Sequence, residues 1–312
     1  MSALTDIKFR NPLSAIERGS RDSLLTQSLR EGPLNWSYDS EYPLVLSPEG
    51  NSTSWCAFLD DQLIGHANLW PRTLQHTSNH KSLEIGLIGN VATHEKFRGQ
   101  GHMRSLIHQL AQIAEKQGLH ALVLWSDLSQ FYQNLGFRSI GREWRLTFSR
   151  TDLKVGTGIV KMEVNSLTEA ELSSMLASRP MLEWGINRTT DEFRALLGIP
   201  ETLLFVRRQG AKIISWVVIG KGTDMQAIIH EWGASSPNEL LANIQTIICD
   251  YNARSLTLLV PGSLNQQWVT LLKHRATDIE EHPMAMGMPL GSKGELAMNA
   301  LAKSFIWGLD SI

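Results

Sequence analysis

The alternation of apolar and polar residues predicts the same succession of elements twice along the chain. The first half is predicted to contain a helix over residues 13–30, a hairpin over 54–70, a strand over 83–92, a helix over 104–117, a buried strand over 121–125 and a short helix over 130–135. The second half is predicted to contain a helix opened by a capping box at 168–171, a helix over 189–197, a hairpin over 203–220, a strand over 226–232, a helix over 238–251, a strand over 255–260 and a short helix over 265–274. The repetition lies in the order of elements, and no repeat of individual residues accompanies it.

Two polar segments interrupt this pattern. Residues 73–82 are predicted to be a loop between the hairpin and the next strand. Residues 149–158 are polar and contain glycine, so we place a domain boundary there. The sequence therefore predicts an α/β protein with one domain over residues 1–150 and a second over residues 159–312.

Composition narrows the function classes. Of 312 residues, 42% are hydrophobic and 19% are charged, which is typical of globular domains with packed cores. A net charge of −2 provides no general attraction to nucleic acid or to an anionic membrane, so neither partner is expected. The N-terminus lacks the apolar core of a signal peptide and no apolar run approaches about 20 residues, so we expect a cytoplasmic protein.

The sequence does not predict a metal site. Its two cysteines, Cys56 and Cys249, form no cluster. His76 and His80 are four residues apart but lack a third ligand.

A glycine-containing turn, Arg98-Gly-Gln-Gly101, joins a predicted strand to a long predicted helix. The first amides of a helix have no partners within the helix, and the helix dipole adds partial positive charge there. The turn therefore predicts a site for a phosphate or pyrophosphate, to which Arg98 and Arg104 would add hydrogen bonds. The alternative is a turn that only caps a helix. A dinucleotide fingerprint is excluded because Arg104 stands where its third glycine belongs, and no Gly-Lys-Ser/Thr of a P-loop is present.

A second motif, Phe131-Tyr-Gln-Asn-Leu-Gly-Phe137, follows the helix and the buried strand. Together the two segments resemble motifs A and B of the GNAT superfamily of acyl-CoA-dependent N-acetyltransferases, over about residues 54–148. The resemblance implies a mixed, mostly antiparallel central sheet flanked by helices, and acetyl-CoA as co-substrate without a metal. Met103 departs from the small residue that the family has at this loop position, which puts the placement or affinity of the pyrophosphate in question.

The resemblance implies specific roles for the residues around the turn. The family wedges the pantetheine arm of CoA between splayed strands, and Gly86 and Gly89 fit a bulge there. The implied cofactor-binding residues are those whose main chain would hold pantetheine, Val91, Ala92 and Thr93, and those whose amides would hold the pyrophosphate, Arg98, Gly99, Gln100, Gly101, His102, Met103 and Arg104.

Tyr132 matches the general acid of the family, which protonates the departing CoA thiolate. The alternative is a packing tyrosine whose hydroxyl binds a main-chain carbonyl. For the base we considered water or Glu84, which lies near the position of a catalytic glutamate in some members but is one residue out of register. Some tandem GNAT aminoglycoside acetyltransferases use a C-terminal carboxylate as base, a role that Ile312 could take here.

The second half resembles a GNAT domain more faintly, which makes a tandem protein with a degenerate C-terminal copy the expectation. Its segment from His230 to Leu241 stands where the first half has the pyrophosphate loop, but it has no basic residue, and Pro237 removes an amide. We therefore expect no CoA site there and a role in shaping the acceptor cleft. Residues 36–42, which mix aromatic and acidic side chains, would suit a cationic acceptor or form an ordinary surface loop.

The sequence thus predicts an N-acetyltransferase that moves an acetyl group from acetyl-CoA to a primary amine by direct attack in a ternary complex. The acceptor would be a small molecule or a peptide, and a homodimer is possible. One alternative is a CoA-binding module without catalysis that recruits a partner. Another is a transferase that uses a longer acyl-CoA.

Overall fold

A computed structural model of the protein describes residues 8–10 as backbone and residues 13–30, 32, 34–48, 50–150 and 156–312 in full. Its strands are β1 (Lys8–Arg10), β2 (Thr53–Leu59), β3 (Gln62–His76), β4 (Ser82–Thr93), β5 (Ala121–Leu124), β6 (Arg138–Ile140), β7 (Glu143–Ser149), β8 (Val160–Lys161), β9 (Trp184–Ile186), β10 (Leu203–Gln209), β11 (Lys212–Lys221), β12 (Asp224–Gly233), β13 (Ser255–Pro261), β14 (Asp278–His282) and β15 (Ala285–Pro289). Its helices are α1 (Ala15–Leu29), α2 (Tyr38–Glu41), α3 (His102–Lys116), α4 (Ser129–Gln133), α5 (Glu169–Ala177), α6 (Thr190–Leu197), α7 (Pro237–Asp250), α8 (Gln266–Arg275) and α9 (Gly294–Ala302).

The strands form two mostly antiparallel sheets flanked by helices, so the predicted fold class is confirmed. The first sheet has the order β1-β2-β3-β4-β5-β15-β6, with β9 paired to β3. The second has the order β14-β7-β13-β12-β11-β10-β8. Each contains one parallel pair, β4 with β5 in the first and β12 with β13 in the second. The two halves therefore share a topology as well as an order of elements.

The two sheets exchange strands. β7, from the end of the first half, pairs with β13 and β14 in the second sheet. β15, from near the end of the chain, lies between β5 and β6 in the first sheet. The sheets therefore do not divide at the segment 149–158, because each one contains a strand from the other side of it.

A continuous core joins the two sheets. Side chains such as Trp70 and Val123 of the first sheet belong to the same buried cluster as Trp232 and Phe205 of the second. A smaller cluster holds α3 against the first sheet through its apolar face, which includes Leu106 and Leu110. Because the core runs through both sheets, the halves pack as one body.

Local sequence signals explain where several helices begin. The capping box predicted at Thr168 and Glu171 is confirmed, because each residue binds the main chain of the other at the start of α5. The same arrangement begins α1 at Ser14 and α6 at Thr189. α3 begins at His102, two residues earlier than predicted, and its N-cap is Gly101.

One loop prediction is wrong. β3 continues to His76 and β4 begins at Ser82, so residues 73–76 extend a strand. The polar side chains hid this strand, which is maintained by pairing with β9 of the second half (Gln75 opposite Gly185). The sequence also missed β14, β15 and α9, whose short or polar segments carry little periodicity.

Candidate functional site

The parallel strands β4 and β5 separate after three paired residues. Ile85, Gly86 and Leu87 lie opposite Ala121, Leu122 and Val123, and the pairing ends there. On its other side β4 shifts register against β3 between Asn68 and His66, so Asn90 and Val91 form a bulge. Asn90 has a φ of 49°, a left-handed conformation that is uncommon outside glycine. The bulge lies one residue beyond Gly89, close to where the glycines predicted it.

A buried histidine holds this bulge in place. Burial lowers the pKa of His66 to about 3, so the ring is neutral at physiological pH. Its Nδ1 lies 2.8 Å from the carbonyl oxygen of Asn90, to which it donates, and its Nε2 accepts from the Ser54 hydroxyl at 3.3 Å. A lone histidine in a strand gives no sequence signal for this role.

The turn before α3 has the geometry of an anion site. Gly99 and Gly101 have φ values of 75° and 85°, which only glycine adopts readily, and open space lies beside both. Gly101 caps α3 without a side-chain hydrogen bond, so the first amides of the helix remain available. Arg98 is fixed nearby because its Nε donates to the carbonyl oxygen of Thr93 at 3.1 Å.

Tyr132 lies in α4, across the gap from the turn. It is 5% exposed, and burial raises the pKa of its hydroxyl to about 12. Its ring packs edge-on against Phe131 and Phe137 of the same motif. Within the part of the chain that the structure describes, the hydroxyl has no hydrogen-bond partner, so it is available to a ligand.

These features line one cavity of about 860 Å³. The predicted site residues at its wall are Val91, Ala92, Thr93, Arg98, Gly99, Gly101, His102, Met103, Arg104 and Tyr132. Gln100 is outside this set, because its amide nitrogen donates to the carbonyl oxygen of Lys96 at 3.0 Å. The Met103 side chain extends toward the sheet, where its Cε lies 3.8 Å from the position of a Cβ on Gly65. Gly65 thus makes room for the larger side chain that departs from the motif.

Comparison with known proteins agrees with this geometry. Residues 23–137 match the model of the acetyltransferase (GNAT) family. No curated protein matches the chain. The match covers the splayed strands, the turn and Tyr132.

Solved structures share the fold of the whole chain. A conserved protein of unknown function from Enterococcus faecalis V583, a probable N-acyltransferase, has a TM-score of 0.68 at 15% identity, covering 92% of this chain and 73% of its own. A GCN5-related N-acetyltransferase from Kribbella flavida has a TM-score of 0.65 at 15% identity, covering 94% and 74%. Saccharomyces cerevisiae N-myristoyltransferase has a TM-score of 0.55 at 12% identity, covering 92% and 83%. At these identities the likeness concerns the fold alone.

The structure does not bring Glu84 into this 860 Å³ cavity. Glu84 lies before the three paired residues of β4, and the cavity begins beyond them. Its carboxylate accepts a hydrogen bond from the Thr73 hydroxyl at 2.9 Å. The expected role as base therefore finds no geometric support, since the bulge occurs too late in β4 to correct the position of Glu84.

The other residues that line the cavity come from distant parts of the chain, and the sequence analysis did not predict most of them. Tyr42, within the segment flagged for the acceptor, lies at the wall. Arg30, Trp125, Asp224 and Ile312 also line it. Asp224 and Ile312 come from the second half, and no local motif marks either of them.

Ile312 reaches the main chain of β4 itself. A Cβ built on Gly89 would overlap the main-chain carbon and oxygen of Ile312. The absence of a side chain at Gly89 therefore admits the segment 308–312 into the wall of the cavity. This close approach is a second reason, besides the bulge, for a glycine in this strand.

The corresponding gap in the second sheet is filled by protein. Trp232 is fully buried and its indole N–H donates across the gap to the carbonyl oxygen of Leu259 at 3.0 Å. Its ring stacks on Trp268 and meets Trp307 edge-on. Three indoles thus stand where the first sheet has its open cleft.

The helix that follows this second gap, α7, carries a glutamate, Glu239, in its first turn. The carboxylate of Glu239 accepts a hydrogen bond from the amide of Ser235 at 3.0 Å, and the Ser236 hydroxyl accepts one from the amide of Glu239. At the start of α7, Pro237 has no amide hydrogen and the amide of Glu239 is already bonded, so fewer amides are available to a ligand there than at the start of α3. This difference supports a CoA site in the first sheet and not in the second.

Two further features of the described residues bear on the site. They include no group of three or more His, Cys, Asp and Glu side chains placed to hold a metal ion. None of the helices formed by these residues is both long and apolar enough to cross a membrane.

Proposed function

We propose that the protein is an N-acetyltransferase that transfers an acetyl group from acetyl-CoA to a primary amine by direct attack in a ternary complex. The observation that carries this proposal is the shared cavity: residues from the gap between β4 and β5, from the start of α3 and from α4, including Tyr132, all line it. Pantetheine would lie along Val91–Thr93, and the pyrophosphate at the amides of residues 99–104. Tyr42 and Asp224 also line the cavity, and in our proposal the acceptor binds beside them.

The chemistry requires proton transfers at nitrogen and at sulfur. The amine nitrogen attacks the thioester carbonyl carbon, the C–N bond forms, and the C–S bond breaks. Tyr132 donates its proton to the sulfur, a role that suits a hydroxyl whose pKa of about 12 keeps it protonated at neutral pH. The second proton that the nitrogen loses on becoming an amide returns through water to the Tyr132 oxygen. The thiol, with an ordinary pKa near 8.5, retains most of that proton at pH 7.

The amine must lose a proton before or during attack. A lysine-like amine has a pKa of about 10.4, so deprotonation at pH 7 costs about 4.6 kcal/mol. Since Glu84 is distant, water within the cavity takes this proton in our proposal. A protein that ends at Ile312 has a terminal carboxylate beside Gly89, and extending the chain by one alanine tests its participation.

The first experiment is a thermal titration of the full chain with acetyl-CoA, CoA and longer acyl-CoAs. A ligand at 100 times its Kd adds about 2.7 kcal/mol of stability, a clear shift. Release of CoA thiol with a panel of primary amines then measures turnover. A shift without turnover on any amine favours the non-catalytic alternative, and no shift with any acyl-CoA refutes the site itself.

A further inference from the structure

The turn between β11 and β12 brings a carboxylate of the second half to the cavity of the first. Lys221 and Asp224 lie opposite each other in the main-chain pairing of β11 with β12. Asp224 is exposed and lies at the cavity wall. Asp224 forms no ion pair with any residue that the structure describes. It is therefore a carboxylate at the cavity wall with no salt-bridge partner among the described residues.

Contacts with residues of both halves hold this turn in place. The amide of Gly222 donates to the carbonyl oxygen of Pro200 at 2.7 Å, and the amide of Thr223 donates to Glu41 Oε1 at 3.3 Å. A Cβ on Gly222 would overlap the Glu41 side chain, so the turn packs directly against α2. These contacts fix the main chain from which Asp224 extends.

The same turn also holds the end of the chain. The Lys221 ammonium is buried and donates to the carbonyl oxygens of Gly308 at 3.0 Å and Leu309 at 3.3 Å, and to that of Ser311. Lys221 thereby places Ile312 at the cavity wall. One turn thus positions two of the residues that line the acceptor part.

The nearby cations are already engaged. Arg30 binds Glu41 at 2.9 Å, with side-chain exposures of 9% and 1%, and donates to the Tyr42 hydroxyl at 3.0 Å. Lys221 points to the carbonyls just described. Neither lies within ion-pair distance of Asp224, although Asp224 is near enough to act on both: it helps to raise the pKa of Arg30 and opposes the burial that lowers the pKa of Lys221. A cation supplied by a ligand would therefore find an unpaired carboxylate on a rigid support.

We propose that Asp224 recognises a second protonated nitrogen on the acceptor, so that the preferred substrates are amines with two basic groups. One amine loses its proton and attacks the thioester near Tyr132, while the other stays charged and pairs with Asp224. This inference rests on the proposed acetyltransferase function. It assigns specificity to the second half of the chain.

The test compares α,ω-diamines of increasing length with monoamines of the same length, using the full chain, acetyl-CoA and thiol release. The best diamine should exceed its matched monoamine in kcat/KM. Asp224→Asn should lower kcat/KM for that diamine by about tenfold, which corresponds to about 1.4 kcal/mol, and change the monoamine less than twofold. Asp250→Asn, an exposed aspartate of α7 outside the cavity, is the matched control and should change neither.

A binding measurement makes the result independent of turnover. Calorimetric titration of the diamine into the protein with CoA should show weaker binding in Asp224→Asn than in the native protein. Equal effects on diamine and monoamine, or no effect on either, overturn the role of Asp224 while leaving the proposed function intact. Binding of acetyl-CoA without turnover of any amine overturns the proposed function and this inference together.

Discussion

Replacing Arg188 with methionine would leave two buried carboxylates without the cation they share. The Arg188 side chain has no exposure, nor do those of its partners Asp310 and Glu231. Its Nη2 lies 2.7 Å from Asp310 and its Nη1 lies 2.6 Å from Glu231. Removing one member of a buried ion pair costs about 3–5 kcal/mol, because the charge left behind is uncompensated.

The surrounding arginines place the expected loss at the lower end of that range. Arg179 lies 3.4 Å from Glu231 and Arg72 lies 3.7 Å from Asp310, so each carboxylate keeps a more distant cation. We therefore expect Arg188→Met to lower the free energy of unfolding by about 3 kcal/mol. With an unfolding entropy of about 2.1 cal/mol/K per residue, the melting temperature should fall by about 5 °C.

The loss should depend on pH. Burial acts to raise the pKa of Asp310, but Arg188 and Arg72 outweigh it and hold the pKa below its usual value. This pairing therefore contributes stability above the ordinary aspartate pKa of about 3.9, and the contribution is lost as pH falls through the lower folded value. The difference between native and variant protein should stay near its full size from pH 7 down to about pH 4 and shrink below that pH.

Urea unfolding followed by circular dichroism at pH 7 and pH 3 measures both effects. Arg142→Met is the matched control, since Arg142 is 63% exposed and lies 3.4 Å from Glu281, and it should change stability by about 0.5 kcal/mol or less. Adding Glu231→Gln and Asp310→Asn to Arg188→Met should recover part of the loss. A loss below 1 kcal/mol, or one equal at both pH values, refutes this account of the cluster.

Three other substitutions test the cavity. Tyr132→Phe should lower kcat by about 10²-fold with unchanged acetyl-CoA binding, and an unchanged rate would remove the hydroxyl from the mechanism. Because the pKa of Tyr132 is about 12, its titration should cause no alkaline loss of activity below about pH 10. Gly101→Asp should abolish the thermal shift with acetyl-CoA by placing a carboxylate at the anion site. Gly158→Asp, also at positive φ in open space, controls for backbone strain and should bind normally. Gly89→Ala should displace Ile312 and cost about 1–3 kcal/mol, whereas Gly19→Ala, with open space in α1, should be stabilising.

The part of the cavity that sequence could predict is encoded in short segments. The turn at Arg98–Gly101 and the motif around Tyr132 each place their chemistry through local geometry, namely glycines at positive φ and a short helix. Their meeting follows from the parallel pairing of β4 with β5, which the order of elements already suggests. These residues were therefore predictable without knowledge of tertiary contacts.

The acceptor part was not predictable in the same way. Arg30, Asp224 and Ile312 lie far apart in the sequence, and only the shared core and the turn at Lys221 bring them together. Glu84 shows the opposite case, a suitable residue type near the right strand whose position along β4 takes it away from the cavity. Without the pairing register, neither outcome can be read from residue type.

The position of β15 bears on how the protein forms during synthesis. The strand that separates β5 from β6 is formed by residues 285–289, which are synthesised long after both of its neighbours. Until then the edges of β5 and β6 lack their neighbour, and Gly89 lacks the segment that covers it. The first half of the chain must therefore wait, partly assembled, for residues 285–289 to be translated, and its exposed strand edges depend on rapid synthesis of these residues or on chaperones in that interval.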